Sequence, residues 1–135
     1  MRFYSLRSGE LNKTAELQPQ FDAGHQIGAV CVGADYLFLK KGLRTYYVRY
    51  DETDRIYRRV RTVTANVCCE GGEFRFDYLV IEAGGRERME IQLPGQQAAQ
   101  MLLGEIREAF PSGVFEAPER PKEEAEGEAS APAKR

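Results

Sequence analysis

The feature that most constrains this chain is a period-two alternation, clearest at Arg88-Met89-Glu90-Ile91-Gln92-Leu93. Met89, Ile91 and Leu93 share one side and Arg88, Glu90 and Gln92 the other, the signature of an extended strand with one wet face. Residues 74–82 (FRFDYLVIE) are also of strand type, and Gly84-Gly85 between the two runs supplies the positive-φ positions of a tight hairpin. Upstream, residues 27–32 and 36–40 read as short strands joined at Gly33-Ala34-Asp35, and Lys40-Lys41-Gly42-Leu43-Arg44 turns the chain into another strand at 45–50. Asp51-Glu52-Thr53-Asp54 then breaks the pattern.

Residues 55–60 fit either a strand or a helical turn, because Ile56 and Val60 are four apart. Residues 61–69 resume as strand and reach a turn at Glu70-Gly71-Gly72, while residues 8–24 read as loop after a short strand at 2–5. The expectation is about seven strands in antiparallel order. The last element changes period: Ala99, Leu102, Leu103, Ile106 and Phe110 fall on one face of a helix over about 95–110, with Gly95 as N-cap and Pro111 as stop. Such a helix is expected to cover an open end or edge of the strands.

These elements define one domain over residues 1–115 of the 135-residue chain. Residues 116–135 hold no Val, Ile, Leu or aromatic side chain and are expected to form a disordered charged tail. No apolar run reaches the ~20 residues that span a bilayer, and the N-terminus lacks the apolar core of a secretory signal. Three cysteines (Cys31, Cys68, Cys69) are too few and odd in number for a disulfide framework, which points to a reducing, cytoplasmic setting.

The order of short strands closed by a helix resembles the pleckstrin-homology-like superfold, especially its small bacterial and GRAM-like members. The resemblance rests on Tyr36-Leu37-Phe38-Leu39-Lys40-Lys41-Gly42, the strand at 45–50, the segment 54–56, Tyr78-Leu79-Val80-Ile81, the Gly-Gly turn, residues 89–93 and the helix at 98–110. It implies a mainly β, partly open barrel capped by one C-terminal helix, serving binding or scaffolding and not catalysis. In phosphoinositide-binding members the basic cluster lies between the first two strands, where this chain has only Gly33-Ala34-Asp35, so that ligand is not implied.

The charge distribution supplies the candidate site. Net charge is −2, yet residues 36–61 hold eight cations against three anions, while the remaining 109 residues hold 11 cations and 18 anions. Lys40, Lys41, Arg44, Arg49, Arg58 and Arg59 are the residues expected to receive an acidic protein segment or another anion. A sheet edge accepting a partner's strand is the other route to a protein partner. The alternative function is single-stranded nucleic-acid binding through residues 44–61, where Tyr46, Tyr47, Tyr50 and Tyr57 interleave with arginines. The plainer reading is that the arginines simply occupy wet strand positions.

Other chemistry has little support. His25, Cys31, Cys68 and Cys69 lack the spacing of a zinc site, and adjacent Cys68 and Cys69 on a strand would point to opposite faces. Nucleophilic catalysis would need His25, read as part of a loop, to meet Cys31. Asp51, Glu52 and Asp54 sit where turns favour acidic residues, and the glycine pairs mark hairpins instead of a phosphate-binding loop. The expectation is therefore a non-enzyme with no metal, no cofactor and no catalytic residue.

Overall fold

A computed structural model describes residues 2–12, 15–65 and 72–118. Among the described residues, nine strands, two α-helices and one 3-10 turn follow in the order β1 (Phe3–Ser5), β2 (Leu11–Asn12), α1 (Leu17–Ala23), β3 (His25–Ile27), β4 (Val30–Val32), β5 (Tyr36–Lys41), β6 (Arg44–Arg49), the 3-10 turn (Tyr50–Glu52), β7 (Arg55–Ala65), β8 (Gly72–Ala83), β9 (Arg86–Gln92) and α2 (Gln96–Ala109). The chain is mainly β with a C-terminal helix. The expected barrel is not formed: the strands make two separate sheets, one ordered β2-β1-β6-β5-β4-β3 and the other β7-β8-β9.

The apolar run at β5 explains why one curved sheet does not suffice. Tyr36, Leu37, Phe38 and Leu39 are all buried, so this strand needs cover on both faces. Leu37 and Leu39 join Val30, Val32 and Val48 in a core shared with Ile56, Leu79, Ile81, Met89 and Ile91 of the second sheet. Tyr36 and Phe38 point the other way, where Phe3, Leu17 and Cys31 form a second cluster with Phe21 and Tyr47 packed on it. Helix α1 provides that cover through Leu17 and Phe21, one turn apart. Residues 8–24, read from sequence as loop, therefore contain β2 and α1.

Helix α2 starts after Gly95, as expected of its N-cap, and buries Ala99, Leu102 and Ile106, spaced three and four apart, completely. It packs on β4 of one sheet and on β7 and β8 of the other, so it closes the core that the two sheets share. Its C-terminal end is held by Phe110, which stacks on Tyr50 with ring centroids 5.9 Å apart. The buried Tyr50 hydroxyl donates to the Gly33 carbonyl at 2.8 Å, and burial pushes the phenol up, which keeps that donor protonated.

Three other expectations change. Residues 55–60 belong to the single long strand β7, because Ile56 faces the shared core while Tyr57 is buried on the opposite face. Residues 27–32 are not one strand: Gly28, at φ 60°, turns β3 back along β4. Strand order is not wholly antiparallel either, since β1 runs parallel to β6 with Phe3 opposite Thr45. The turn at Glu70-Gly71 and the pair Cys68-Cys69 lie outside the described residues, as does the tail beyond Pro118.

Candidate interaction surface

The six cations singled out by sequence fall into three places. Lys40, Lys41 and Arg44 flank the point where β5 turns into β6, with Lys41 opposite Arg44 on one face of the sheet and Lys40 on the other. Arg49 lies at the far end of β6, opposite Tyr36, about 17 Å away at ~3.3 Å per residue. Arg58 and Arg59 are on β7, in the other sheet, and point to opposite faces of it.

Three of these six charges are already answered by carboxylates of the fold. Arg49 binds Asp51 through Nε and Nη2 at 3.0 and 2.9 Å. The hydrogen bonds and charge of Asp51 hold the Arg49 guanidinium above its ordinary range, and Arg49 in turn holds the Asp51 carboxyl below its own. Arg58 meets the buried Asp77 carboxylate at 2.5 Å on the core-facing side of the sheet. On the outer side Arg59 reaches Glu87 and Glu90, both at 3.0 Å, and Arg61 reaches Glu90 at 2.8 Å. Tyr57 donates to Glu82 at 3.1 Å and accepts from Arg59 at 3.2 Å. This polar layer lies over Val80, which is fully buried although it faces away from the shared core.

Glu90 is the hinge of the charge arrangement. Burial alone would push its carboxyl up, but hydrogen bonds from Arg59 and Arg61 outweigh burial and hold it below the ordinary value of 4.5. Its stabilising contribution is therefore present above pH 4.5 and is lost as pH falls through the depressed folded-state value. Replacing Glu90 by glutamine is expected to cost about 1–2 kcal/mol at pH 7. In urea titrations the gap between the two chains should close as pH falls below 4.5, whereas a constant gap would show that the Glu90 charge contributes nothing.

The β5–β6 turn is different. Gly42 occupies the first central position at φ 64°, which a two-residue hairpin turn requires, and Leu43 follows with 105% relative exposure. Around it Lys40 is exposed, Lys41 Nζ donates to the Glu90 backbone carbonyl at 2.9 Å, and the Arg44 guanidinium sits 4.4 Å over the Tyr4 ring. Among the described residues none of these three cations forms an ion pair with a carboxylate. Sequence reasoning chose the cations but missed Leu43 and Tyr4. A lone leucine beside glycine, inside a run of cations, was the available signal.

The tyrosines are placed differently from a stacking platform. Tyr50 and Tyr57 are buried. Tyr46 is half-buried against the shared core, and Tyr47 against the α1 cluster, where it accepts from Asn12 at 2.7 Å.

His25 is on an edge strand, not in a loop, and its Nδ1 lies 2.6 Å from Glu105 Oε2 on α2. Cys31 faces the other way, its thiol donating to the Phe21 carbonyl at 3.4 Å. Burial pushes this thiol up, with the nearby Asp22 charge adding to the effect. Gly24 is tied to the same contact, since a Cβ there would stand 2.5 Å from the Cys31 sulfur. Among the described residues no three His, Cys, Asp or Glu side chains gather as metal ligands, and no helix is long and apolar enough to cross a membrane. Comparison with known proteins finds no family model, no curated protein and no solved structure that matches the chain.

Proposed function

We propose that this chain is a non-catalytic binding module whose β5–β6 turn receives an acidic segment of a partner protein. The observation that carries the reading is Leu43, wholly in solvent, set among Lys40, Lys41 and Arg44 with no carboxylate answering them among the described residues. Burying one leucine side chain is worth about 1.5–3 kcal/mol, enough to anchor a contact that the cations steer and orient. The binding role implied by the pleckstrin-homology-like resemblance agrees in class, through the strand-rich order closed by α2.

Strand addition at β7 is a second route to a protein partner. The start of this edge is taken by the chain itself, because Ile56 N–H donates to Val114 O at 2.9 Å. Farther along β7 no described strand pairs with the edge, and Val60, Val63 and the neighbouring Phe74 are exposed. The β5–β6 turn is preferred because the β7 arginines already hold carboxylates of their own fold.

The test is a titration of the full chain with a synthetic amphipathic helical peptide carrying glutamates beside a leucine stripe. Binding should weaken at least tenfold between low and high salt, and again on Leu43→Ser or on combined Lys40→Glu, Lys41→Glu and Arg44→Glu. Arg49→Glu should leave it unchanged. Salt-insensitive binding, or binding that survives the triple reversal, would refute the proposal. Tighter binding of single-stranded RNA, lost on Tyr46→Leu and Tyr47→Leu, would favour the nucleic-acid alternative.

A further inference from the structure

The hairpin of β7 and β8 outruns the rest of its sheet. Strand β9 pairs with β8 only from Tyr78 to Ala83, and the Leu93 amide, donating to the Asp77 carbonyl at 2.8 Å, ends that contact. Residues 61–65 and 72–76 therefore form a two-stranded ribbon, with Arg61 opposite Phe76 and Val63 opposite Phe74. Such a ribbon is marginal in water without a third strand or a packed face. Here it presents Val60, Val63 and Phe74 at 38, 49 and 54% exposure.

The backbone of β7 is open along its outer edge as well. The bond from Leu93 to Asp77 shows that odd-numbered residues of β8 turn their amides and carbonyls toward β9, so even-numbered ones turn theirs toward β7. With Arg61 opposite Phe76, odd-numbered residues of β7 bond to β8 and even-numbered ones face outward. Ile56 agrees, its amide reaching out to the Val114 carbonyl at 2.9 Å. Beyond that contact the edge groups of Arg58, Val60 and Thr62 have no backbone partner among the described residues.

We propose that this edge pairs with the same edge of a second copy of the chain, β7 antiparallel to β7 about a two-fold axis at Thr62. This pairing is the strand-addition route with its partner named, and it is independent of the β5–β6 turn. The arginines of β7 already hold Asp77, Glu87 and Glu90 of their own fold, so the edge meets its like without a net cationic field. The register follows from the same charges. An axis at Arg61 sets Arg61 against itself, and one at Val60 sets Arg59 against Arg61, both destabilising like-charge pairs. An axis at Thr62 sets Arg61 against Val63. Each valine then lies between Phe74 of its own chain and the aliphatic stem of Arg61 in the other copy. The same axis falls near the middle of the free stretch between the Val114 contact and the end of β7 at Ala65. Residues 60, 62 and 64 of the two copies exchange about six backbone hydrogen bonds. The order β9-β8-β7 becomes one sheet continuous through both molecules.

Sedimentation equilibrium of the full chain, with reductant present to exclude disulfide links, should show a monomer–dimer equilibrium. Val63→Arg sets two arginines opposite each other and should weaken the dimer at least tenfold, whereas Val63→Glu, opposite Arg61, should leave it as tight or tighter. Thr62→Pro removes an outward amide that no described strand of the fold uses, and should also abolish the dimer. Circular dichroism melts check that each variant stays folded. Hydrogen exchange of the unaltered chain locates the contact: the Val60 and Thr62 amides should exchange at least tenfold more slowly where the dimer prevails than where the monomer does. None of these results bears on the peptide titration at the β5–β6 turn. A chain that stays monomeric at millimolar concentration overturns the pairing, and so does a dimer that Val63→Arg leaves intact. Protection of Val60 and Thr62 that ignores concentration would overturn it too, since another segment of the same chain would then cover the edge.

Discussion

Replacing Leu102 by alanine is expected to destabilise the protein by about 3–4 kcal/mol. Leu102 is fully buried, and its helix touches β4 on one side and β7 and β8 on the other. Truncation leaves a void where both sheets and α2 meet, a place that cannot collapse without moving a whole sheet. A melting-point decrease of roughly 10–15 °C should accompany it. Met101, the preceding residue, is half exposed, and its replacement by alanine should change stability by less than about 0.5 kcal/mol. Similar losses at both positions would mean that α2 does not close the shared core.

The second large effect concerns the Arg58–Asp77 pair. Asp77 is 6% exposed, and its side chain faces the core side of the second sheet. Asp77→Ala should cost about 3 kcal/mol, because it leaves the Arg58 guanidinium, itself only a quarter exposed, beside apolar residues without a counter-charge. The double change Arg58→Met with Asp77→Leu should recover most of that loss, since it also removes the need to desolvate either charge. Urea unfolding of both single variants and the double variant measures the coupling. A double variant as unstable as the sum of the singles would show that the two side chains act separately.

These outcomes turn on what could and could not be read from sequence. The hairpin at Gly84-Gly85 and helix α2 were legible, because each is encoded by residues adjacent in the chain: a turn that needs positive φ, and a stripe at helical spacing. Helix α1 was not legible, since it buries only Leu17, with Phe21 partly buried beside it, and its stability comes from packing on β5. The run at Tyr36-Leu37-Phe38-Leu39 was legible as a short strand, but that both of its faces are buried, and by which elements, required the fold.

The candidate site was legible in composition and not in geometry. Arg58, Arg59 and Arg61 looked like a free basic stretch because their carboxylates lie 19–31 residues later. Only the register of β7 on β8 and of β8 on β9 carries Asp77, Glu87 and Glu90 to them. The meeting of the two sheets, and not this register, brings Lys41 of β5 to the Glu90 carbonyl, so the two basic groups meet at that one residue. What sequence could have shown, and composition alone hid, is a single apolar residue at the tip of a cationic hairpin.

The most direct measurement follows backbone amide shifts of the full chain by two-dimensional nuclear magnetic resonance as the acidic amphipathic peptide is added. Binding at the β5–β6 turn moves the amides of Lys40, Lys41, Gly42, Leu43 and Arg44 first and most, and leaves those of Arg58, Arg59 and Arg61 in place. Shifts centred on β7, or none at the hairpin tip while the peptide is bound, would contradict it.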